Sequence, residues 1–452
     1  MKRYGIVLGA GMGTRMKSEV PKVLHEVMGR SMIEHAVGAL EDATVEKVVV
    51  VTGHKAELVE ACLGARAEYA MQEEQLGTAH AVRVAEDSLA DLEGTTVVTY
   101  GDGPLLTAET LEQLFLKHEQ SGAKLTMLTT ATDNPTGYGR IVRNVAGNVA
   151  RIVEQKDASP EELLITEINP GVACYDNKVL FEALAKVGND NAQGEYYLTD
   201  LVEIIAGMGH QVESVISDNF EETLGVNDRV QLAEAGRIMR ERINKKHMEN
   251  GVTLVDPLAT YIEADVVIGA DVVIEPNVYL KGHTVIESGA MIGAGTHLVD
   301  AKIDVGAHIQ ASFVSDSEVG AYATVGPFAH IRAGGVVGTK SRIGNFVEIK
   351  KAQLGEGVKA AHLTYMGDAE IGPRVNMSCG SIIANYDGKN KHKTVIGADA
   401  MIGSNVNLIA PVSIGAGAYV AAGSTVSQDV PAEALAIARA KQENKEGYAR
   451  KL

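Results

Sequence analysis

An aliphatic residue recurs every six positions through much of the second half of the chain, and this period constrains the fold more than any other feature. An α-helix repeats about every 3.6 residues and a strand alternates every two, so neither element alone explains a period of six. The period predicts a triangular prism, in which each hexapeptide forms one flat side and one corner and the aliphatic side chain points inward. The periodic residues are Ile262, Ile268, Ile274, Leu280, Ile286, Ile292 and Leu298, then Val319, Val325, Ile331, Val337, Ile343 and Ile349, then Ile396, Ile402, Leu408, Ile414, Val420 and Val426.

Two further positions of the repeat support the prism. Glycine often follows the aliphatic residue, as at Gly293 and Gly344, where we expect the chain to turn a corner and where glycine costs little. A small residue often stands four positions after the aliphatic one, as at Ala290 and Ala418. Hexapeptide repeats of this kind form left-handed parallel β-helices, an exception to the usual right-handed crossover. At about 18 residues per coil, the span predicts roughly nine coils.

One break in the period predicts an extruded loop. Ile396 follows Ile383 by thirteen residues, and the segment between them, ANYDGKNKHKT at 384–394, is polar and contains glycine. Loops that leave a regular scaffold often carry binding and catalytic residues. We therefore expect this loop to contribute to a functional site.

The first half alternates short apolar runs with helical stretches, which predicts βαβ units, a mostly parallel sheet and an α/β Rossmann-like domain. Ligands of such sheets bind beyond the carboxyl ends of the strands. Strands are predicted over 4–8, 48–52, 96–100 and 125–128, and helices over 33–40 and 107–118.

A change of pattern near residue 228 predicts one long helix that ends near Gly251. The segment 228–250 contains no proline, and Val230, Ala233, Ile238 and Ile243 can share one apolar stripe. The predicted organisation is an α/β domain over residues 1–229, a linker helix over 230–250, and a β-helix domain with a C-terminal tail over 251–452.

Charge and cysteine content limit the partners and the compartment. The formal net charge is −18, which argues against a nucleic-acid backbone or an anionic membrane as the main partner. The three cysteines are scattered and form no C-x-x-C pair, so they predict no disulfide framework. No secretory signal pattern and no run of about 18 apolar residues occurs, and we expect a cytoplasmic, reducing location.

The loop after the first predicted strand, GAGMGTRMKSEVPK at 9–22, indicates a phosphate site. It lacks the Walker A ending and the full G-x-G-x-x-G spacing. Backbone N–H groups of a glycine-rich turn can hold a polyphosphate, and Arg15 and Lys22 would neutralise its charge. Asp102, between two glycines at the end of another predicted strand, is a candidate Mg²⁺ ligand. The alternatives are that the glycine-rich turn has only a structural role and that Asp102 is an ordinary turn residue.

The second half contains a cluster of candidate residues around the irregular part of the repeat. Arg332, Lys350, Lys351 and Lys391 stand out in an otherwise acidic chain. They are candidates to bind one phosphate group, because a phosphate needs convergent cations. His362 is a candidate base that takes a proton from an amine attacking a thioester. Solvated surface charges and a structural histidine are the alternatives.

The motifs also carry a resemblance that covers essentially all 452 residues. The N-terminal half resembles sugar-1-phosphate nucleotidylyltransferases, and the whole chain resembles the bacterial bifunctional N-acetylglucosamine-1-phosphate uridyltransferases/glucosamine-1-phosphate N-acetyltransferases. The motifs are the glycine-rich loop, QEEQLGTAHA, VVTYGDGPLL, PTGYGR, VEQKDAS, EINPG, ETLGVNDR, GPFAHIRAGG, KAAHLTYMGDAEIG and NYDGKNK.

The resemblance implies two successive reactions. Glucosamine-1-phosphate would be acetylated by acetyl-CoA, and UMP would then be transferred from UTP to N-acetylglucosamine-1-phosphate with release of pyrophosphate. The product, UDP-N-acetylglucosamine, would supply peptidoglycan and lipopolysaccharide-type envelopes. The resemblance also implies Mg²⁺ at the uridyltransferase site and a homotrimer, in which acetyl-CoA lies between neighbouring prisms.

For uridyl transfer, the resemblance implies binding of the nucleotide and the sugar by residues of the first half. Asp102 and Asn227 would bind Mg²⁺. The nucleotide-binding set is Leu8, Gly9, Ala10, Gly11, Arg15, Lys22, Gln72, Gly77, Thr78, Tyr100, Gly101, Asp102 and Asn227, and the sugar-binding set is Gly139, Glu154 and Asn169.

For acetyl transfer, the resemblance implies that His362 is the general base and that a backbone N–H near Cys379 stabilises the oxyanion. The C-terminal tail would bring Arg439 near the cofactor. The sugar-phosphate set is Arg332, Lys350, Tyr365, Asn376 and Lys391, and the acetyl-CoA set is Cys379, Asn385, Tyr386, Ser404, Ala422 and Arg439.

Two other functions are compatible with the same sequence. One is a nucleotidylyltransferase with a single activity, whose β-helix is only regulatory and which makes no use of His362. The other is a non-catalytic scaffold that binds a UDP-sugar without releasing pyrophosphate. Several residues depart from the family pattern without removing a proposed base or metal ligand: Gly9, Met12, Gly103, Pro170, Ala333, Ser378 and Lys441.

Overall fold

The structure, a computed structural model, describes residues 1–451. It divides into two compact units, Met1–Met239 and a second unit that begins at Arg240. The division falls inside the helix Arg229–Glu249, so the prediction of one long helix in this segment is confirmed.

The stripe predicted for this helix is wrong in part. Val230 is 79% exposed and Ala233 is also exposed, whereas Ala235, Ile238 and Met239 are buried. Five residues turn about 140° around a helix. Ala233, Ile238 and Ile243, which are five residues apart, therefore cannot all lie on one face.

A ten-stranded sheet forms the centre of the first unit. Its strand order is Glu68–Met71, Lys47–Thr52, Arg3–Leu8, Thr95–Tyr100, Ala173–Asp176, Leu125–Ala131, Glu167–Asn169, Gly139–Arg143 and Val149–Val153, with Val212–Ser217 also paired to Leu125–Ala131. A two-stranded sheet pairs Glu26–Val27 with Arg30–Ser31.

Helices cover both faces of the large sheet. Successive residues of the first strand point to opposite faces, so Ile6 and Leu8 pack in one hydrophobic core and Val7 packs in the other. The helix Met32–Asp42 begins with a capping box, in which Ser31 accepts from the Glu34 backbone N–H and Glu34 accepts from the Ser31 N–H. The α-helices of the unit are Met32–Asp42, Ala56–Leu63, Thr78–Arg83, Glu86–Leu89, Ala108–Ser121, Asn177–Leu184, Leu201–Gly207 and Arg229–Glu249.

The sheet is mixed rather than mostly parallel, which corrects the prediction. Arg3–Leu8 pairs in parallel with both of its neighbours. Ala173–Asp176, in contrast, lies antiparallel to both strands beside it. The strands Gly139–Arg143 and Val149–Val153 form a hairpin, which needs no crossover helix. The α/β class is confirmed, with the parallel half containing the N-terminal strand.

The second unit is a left-handed parallel β-helix with three faces, as predicted. The first face is an eleven-stranded sheet: Thr253–Leu254, Val273–Ile274, Met291–Ile292, His308–Ile309, Thr324–Val325, Arg342–Asn345, Lys359–His362, Asn376–Met377, Met401–Ile402, Tyr419–Val420 and Leu435–Ala436. The other two faces share a seventeen-stranded sheet: Thr260–Ile262, Val267–Ile268, Val278–Lys281, Val285–Ile286, His297–Val299, Lys302–Ile303, Phe313–Ser315, Glu318–Val319, His330–Arg332, Val336–Val337, Glu348–Leu354, Tyr365–Ile371, Ile382–Ala384, Thr394–Ile396, Asn407–Ile409, Val412–Ile414 and Thr425–Val426.

The periodic aliphatic residues form the core of the β-helix. Ile262, Ile292 and Leu408 are fully buried, and Ile268 is half-buried and packs against the same core. The eleven strands of the first face exceed the roughly nine coils expected. Coil length varies, since Val273 pairs with Met291 eighteen residues later but His297 pairs with Phe313 only sixteen later.

The corner glycines are required by contact between coils rather than by backbone conformation, which refines the expectation. A Cβ on Gly344 would lie 1.9 Å from the carbonyl oxygen of Ala361 on the next coil, yet Gly344 does not have a positive φ. Positive φ falls at other positions of the coils, on non-glycine residues such as Asp271 and on other glycines such as Gly295. The repeat therefore selects glycine where stacked backbones approach most closely.

Replacing Gly344 by alanine should lower the free energy of unfolding of the second unit by about 1–3 kcal/mol, because the Cβ forces apart two stacked backbones. Urea titration would measure this change in the free energy of unfolding. Gly236→Ala serves as the control, since nothing lies within 4 Å of that position in a helix and alanine should stabilise it by up to about 1 kcal/mol. An unchanged midpoint for Gly344→Ala would contradict the contact argument.

Candidate functional site

The first candidate site lies at one edge of the sheet in the first unit. The strands Arg3–Leu8, Lys47–Thr52, Glu68–Met71 and Thr95–Tyr100 are parallel, so their carboxyl ends share this edge. The segments that follow three of them contain predicted site residues. Three cavities lie here, which we number in the order of their description.

The first cavity, of 260 Å³, is next to the glycine-rich loop. Gln72 is buried, and its side-chain amide donates to the Gly77 carbonyl oxygen at 3.2 Å. Gly77 has a φ of +115°, and a Cβ there would lie 2.5 Å from the Tyr196 carbonyl oxygen, so the turn requires glycine. Ten predicted residues line this cavity: Leu8, Gly9, Ala10, Gly11, Lys22, Gln72, Gly77, Thr78, Tyr100 and Asp102.

Two cations and two oxygen ligands meet beside the second cavity, of 420 Å³. Lys22 Nζ forms an ion pair with Asp102 and donates to Asn227 Oδ1 at 3.2 Å. Arg15 Nη2 donates to the same amide oxygen at 2.9 Å. A carboxylate and an amide oxygen therefore converge on one position that a cation occupies. This arrangement suits a polyphosphate together with a divalent cation.

The third cavity, of 250 Å³, is lined by Gly139, Glu154 and Asn169. Glu154 Oε1 accepts from Thr199 Oγ1 at 3.1 Å, and burial raises the pKa of the Glu154 carboxyl. Asn169 Oδ1 accepts from the Gly171 backbone N–H at 3.0 Å, which orients its amide. Polar groups that are few and held in place are typical of a cavity that recognises one ligand.

Tyr100 lines all three cavities and connects them into one groove. Burial raises the pKa of its phenol, so the ring stays neutral. Gly171 allows the ring its position, since a Cβ there would lie 2.1 Å from Tyr100 Cε2. The structure thus brings the predicted uridyltransferase residues together along one groove, with one exception.

The exception is Gly101, which does not line any of these three cavities of the described chain. A Cβ on Gly101 would lie 3.2 Å from Ile33 Cδ1, so the residue faces the interior. Three of the residues that depart from the family pattern do line the groove: Gly9 at the first cavity, Gly103 at the second, and Pro170 at the second and third.

The structure adds residues that the sequence analysis missed. Glu195 lines the first and third cavities, Gln75 lines the first, and Tyr138 lines the second and third. Tyr138 belongs to the quoted PTGYGR motif, which could have indicated it. Glu195 follows a polar loop with no pattern of its own, so only the fold identifies it.

The second candidate site lies on the β-helix around His362, whose side chain is exposed. His362 Nδ1 lies 3.0 Å from Asn345 Oδ1. Since an amide oxygen only accepts, Nδ1 carries a proton in this bond, and in the neutral imidazole Nε2 is then the acceptor. Asn345 was not predicted, although it lies directly opposite His362 on the preceding coil.

Three predicted cations of the β-helix interact with one another. Arg332 pairs in register with Lys350 on the next coil, and Arg332 Nη1 donates to Glu348 Oε1 at 2.7 Å. Lys391, from the loop, lies against Lys350, and the neighbouring ammonium lowers the pKa of Lys350. Cations held this close favour an anion between them. Lys351 lies one residue on, beside a separate cleft that Lys391 also lines.

The extruded loop is confirmed and has internal structure. The strands Ile382–Ala384 and Thr394–Ile396 bound it, and Tyr386 pairs with Lys391 in an antiparallel bridge. Asp387 accepts from the backbone N–H groups of Lys389 and Asn390, which closes the turn. The loop therefore presents Lys391 at a defined position.

Tyr365 and Asn385 flank Gly367, which stacks directly on Lys350. A Cβ on Gly367 would lie 2.4 Å from the Tyr365 hydroxyl and 2.7 Å from Asn385 Nδ2. Asn385 is buried and donates to Asp368 Oδ2 at 2.5 Å. The Asn376 side chain instead donates to Ser378 Oγ at 3.1 Å.

One corner of the prism carries His362 and most of the acetyl-CoA set. The strand register places Cys379, Ser404 and Ala422 at successive positions after His362. Coils stack about 4.8 Å apart, so this column extends for about 14 Å. Arg439 follows near its end, with its Cδ 3.7 Å from the position of a Cβ on Gly423. Tyr386 lies on the loop and is 61% exposed.

No helix among residues 1–451 is long and apolar enough to cross a membrane. One unit thus has a groove with cations and oxygen ligands at the edge of an α/β sheet, and the other has a histidine and a cation cluster on hexapeptide coils. Groups of this kind serve two separate group transfers, and we class the chain as a bifunctional transferase.

Comparison with known proteins gives the same class and a family. Residues 4–227 match the Nucleotidyl transferase family, and residues 265–299 and 393–428 match the Bacterial transferase hexapeptide (six repeats) family. The chain is 54% identical over 451 residues to the Bifunctional protein GlmU of Exiguobacterium sp., with all of both chains covered. It is 55% identical over 452 residues to that of a Geobacillus species, covering 100% of this chain and 98% of the relative. The chain belongs to the GlmU family of bifunctional proteins.

Proposed function

We propose that this chain makes UDP-N-acetylglucosamine in two steps. It acetylates glucosamine-1-phosphate with acetyl-CoA and then transfers UMP from UTP to N-acetylglucosamine-1-phosphate, releasing pyrophosphate. The observation that carries the proposal is the convergence of Lys22, Asp102 and Asn227 in one unit and of Arg332, Lys350 and Lys391 in the β-helix that also carries His362. We assign uridyl transfer to residues 1–229, acetyl transfer to 251–452, and a linker role to 230–250.

In uridyl transfer, an oxygen of the sugar phosphate attacks the α-phosphorus of UTP, and the bond to the bridging oxygen of pyrophosphate breaks. The protein contributes position and charge rather than a covalent group. Gln72, Gly77 and Thr78 would hold the uridine, and Glu154 and Asn169 would hold the sugar. Arg15 and Lys22 would stabilise the charge that develops on the phosphates.

The residues present fit a magnesium ion. Asp102 and Asn227 offer oxygens, which Mg²⁺ prefers, and both already face the Lys22 ammonium. Among residues 1–451, no group of three or more His, Cys, Asp or Glu residues could hold a metal ion. Mg²⁺ commonly uses one or two protein ligands and completes its shell with phosphate and water. When bound, it supplies neutralising charge to the phosphates.

In acetyl transfer, the amine of glucosamine-1-phosphate attacks the thioester carbon, and the carbon–sulfur bond breaks to release CoA. His362 Nε2 would take the proton that the amine loses. Arg332, Lys350 and Lys391 would hold the phosphate, with Tyr365 and Asn376 completing the sugar site. A backbone N–H near Cys379 would stabilise the oxyanion. This step needs no metal ion.

We infer a homotrimer and a cytoplasmic location for these reactions. The corner that carries His362 and Ser404 is open, and hexapeptide transferases bind their cofactor between neighbouring prisms. Tyr386 and Arg439 are exposed around it, which suits a cofactor enclosed by a second copy. UTP and acetyl-CoA would be drawn from the cytoplasm, and the net charge of −18 argues against a nucleic acid or an anionic membrane as a partner.

Mass spectrometry of the products tests the proposal. Incubation with glucosamine-1-phosphate, acetyl-CoA, UTP and Mg²⁺ should give UDP-N-acetylglucosamine, and omission of UTP should stop the reaction at N-acetylglucosamine-1-phosphate. Chelation with EDTA should abolish uridyl transfer and leave acetyl transfer unchanged, because only the first site would hold a metal. Uridyl transfer alone would favour the single-activity enzyme, and binding of a UDP-sugar without pyrophosphate release would favour the scaffold.

A further inference from the structure

Arg140 is a positively charged side chain that the fold covers almost completely. It is 2% exposed, and among the described residues it is the largest side chain that is so completely buried. No carboxylate in the described chain lies within ion-pair distance of it. Burial alone lowers the pKa of its guanidinium. A buried cation without a counter-ion is costly to stability.

The hydrogen bonds of this guanidinium all go to one loop, residues 135–139, and to the side chain that supports it. Nη1 donates to the Tyr138 carbonyl oxygen, and Nη2 donates to Gln155 Oε1 at 3.0 Å. Gln155 Oε1 also accepts from the Gly137 backbone N–H at 2.7 Å. Nε has no partner in the described chain. Arg140 and Gln155 together hold two successive residues of the loop.

These bonds fix the orientation of the loop backbone. In a trans peptide the carbonyl and the following N–H point in opposite directions. Because the Tyr138 carbonyl points at Arg140, the N–H of Gly139 faces away from it. Gly137 has a φ of +91°, a conformation that the bond to Gln155 secures.

The loop forms walls of two cavities of the groove. Thr136, Gly137 and Tyr138 line the second cavity, and Gly137, Tyr138 and Gly139 line the third. Arg140 itself lines neither, so it does not contact a ligand there. A shift of about 1 Å in groups that position a substrate can reduce a rate by up to about 10²-fold.

We propose that Arg140 is a positioning residue for uridyl transfer, which, through Gln155 and the Tyr138 carbonyl, holds the 135–139 loop in the shape that receives the sugar phosphate. This inference rests on the proposed function of the groove. It also accounts for two parts of the sequence motifs, Arg140 of PTGYGR and Gln155 of VEQKDAS, to which no ligand contact is assigned.

The test compares steady-state kinetics of Arg140→Met with wild type. The KM for N-acetylglucosamine-1-phosphate should rise by about tenfold while the KM for UTP stays within about twofold, because the loop lines the third cavity, where Glu154 and Asn169 lie, and has no residue in the first cavity beside the glycine-rich loop. The thermal unfolding midpoint should not fall, since an unpaired buried charge is removed. Acetyl transfer by the same preparation should be unchanged.

Two further variants test the positioning role if Arg140→Met does not fold. Gln155→Leu removes the shared acceptor and should raise the same KM, whereas Gln155→Glu keeps an acceptor and should stay near wild type. Arg143→Met is the matched control, since Arg143 lies on the same strand but pairs with Glu167 and makes no bond to the loop.

Equal changes in both KM values, or none in either, would overturn the positioning role. Lack of uridyl transfer by the wild-type protein would instead refute the proposed function. The two failures are therefore distinguishable.

Discussion

Replacing His362 by alanine should slow acetyl transfer by about 10²- to 10⁴-fold and leave uridyl transfer at the wild-type rate. The amine must lose a proton as it attacks the thioester, and His362 Nε2 is the free base that the Asn345 bond leaves available. The side chain is exposed, so its removal leaves no cavity in the core of the β-helix. The expected loss is therefore in the rate constant rather than in the fold.

Release of CoA thiol from acetyl-CoA, followed in the presence of glucosamine-1-phosphate, measures this loss. Pyrophosphate release in the same sample provides an internal check on the preparation. His308→Ala is a matched control, because His308 is an exposed histidine on the same eleven-stranded face. Wild-type acetyl transfer by His362→Ala would show that the β-helix uses no histidine base.

Replacing Asp102 by asparagine should reduce uridyl transfer by about 10³-fold or more, with acetyl transfer unaffected. The change keeps the shape of the side chain and removes one negative charge. It leaves Lys22 without its ion-pair partner and weakens the pair of oxygens proposed for Mg²⁺. The backbone carbonyl of Asp102, which accepts from Val226 N–H at 2.9 Å, is retained, so the loop should keep its position.

A coupled pyrophosphate assay over a range of Mg²⁺ concentrations measures the effect. If the lost carboxylate is a metal ligand, a higher Mg²⁺ concentration should recover part of the activity. Asp42→Asn, at an exposed position in the same unit, should behave as wild type. Full activity of Asp102→Asn at low Mg²⁺ would remove Asp102 from the proposed metal site.

The parts of the fold that repeat could be predicted closely from sequence. Ile292 and Leu408 are fully buried where the six-residue period places them, because one inward position per hexapeptide leaves little freedom. The number of coils was underestimated because the periodic residues run only from Ile262 to Val426, whereas the strands of the first face extend from Thr253 to Ala436. Similarly, no local signal separates the antiparallel strand Ala173–Asp176 from a parallel one.

The site residues, too, include some that the sequence could predict and some that only the fold identifies. Residues in glycine-rich or charged motifs, such as Lys22 and Lys391, could be selected because their types indicate phosphate binding. Asn345, Glu195 and Arg140 could not, since their importance depends on the partner that the fold brings to them. Asn345 matters because it lies one coil before His362, and Arg140 because its strand turns it inward.

Each coil of the β-helix bonds only to the coil before it and the coil after it, and this has a consequence for evolution and design. Stability in such a stack is approximately a sum of nearest-neighbour terms, so length is free to vary. The coil between Asn376 and Met401 already contains 25 residues without disturbing the pairing on either side. Whole coils distant from His362 should thus be removable or duplicable in frame. The length of the β-helix could then be changed while the corner that carries His362 is kept.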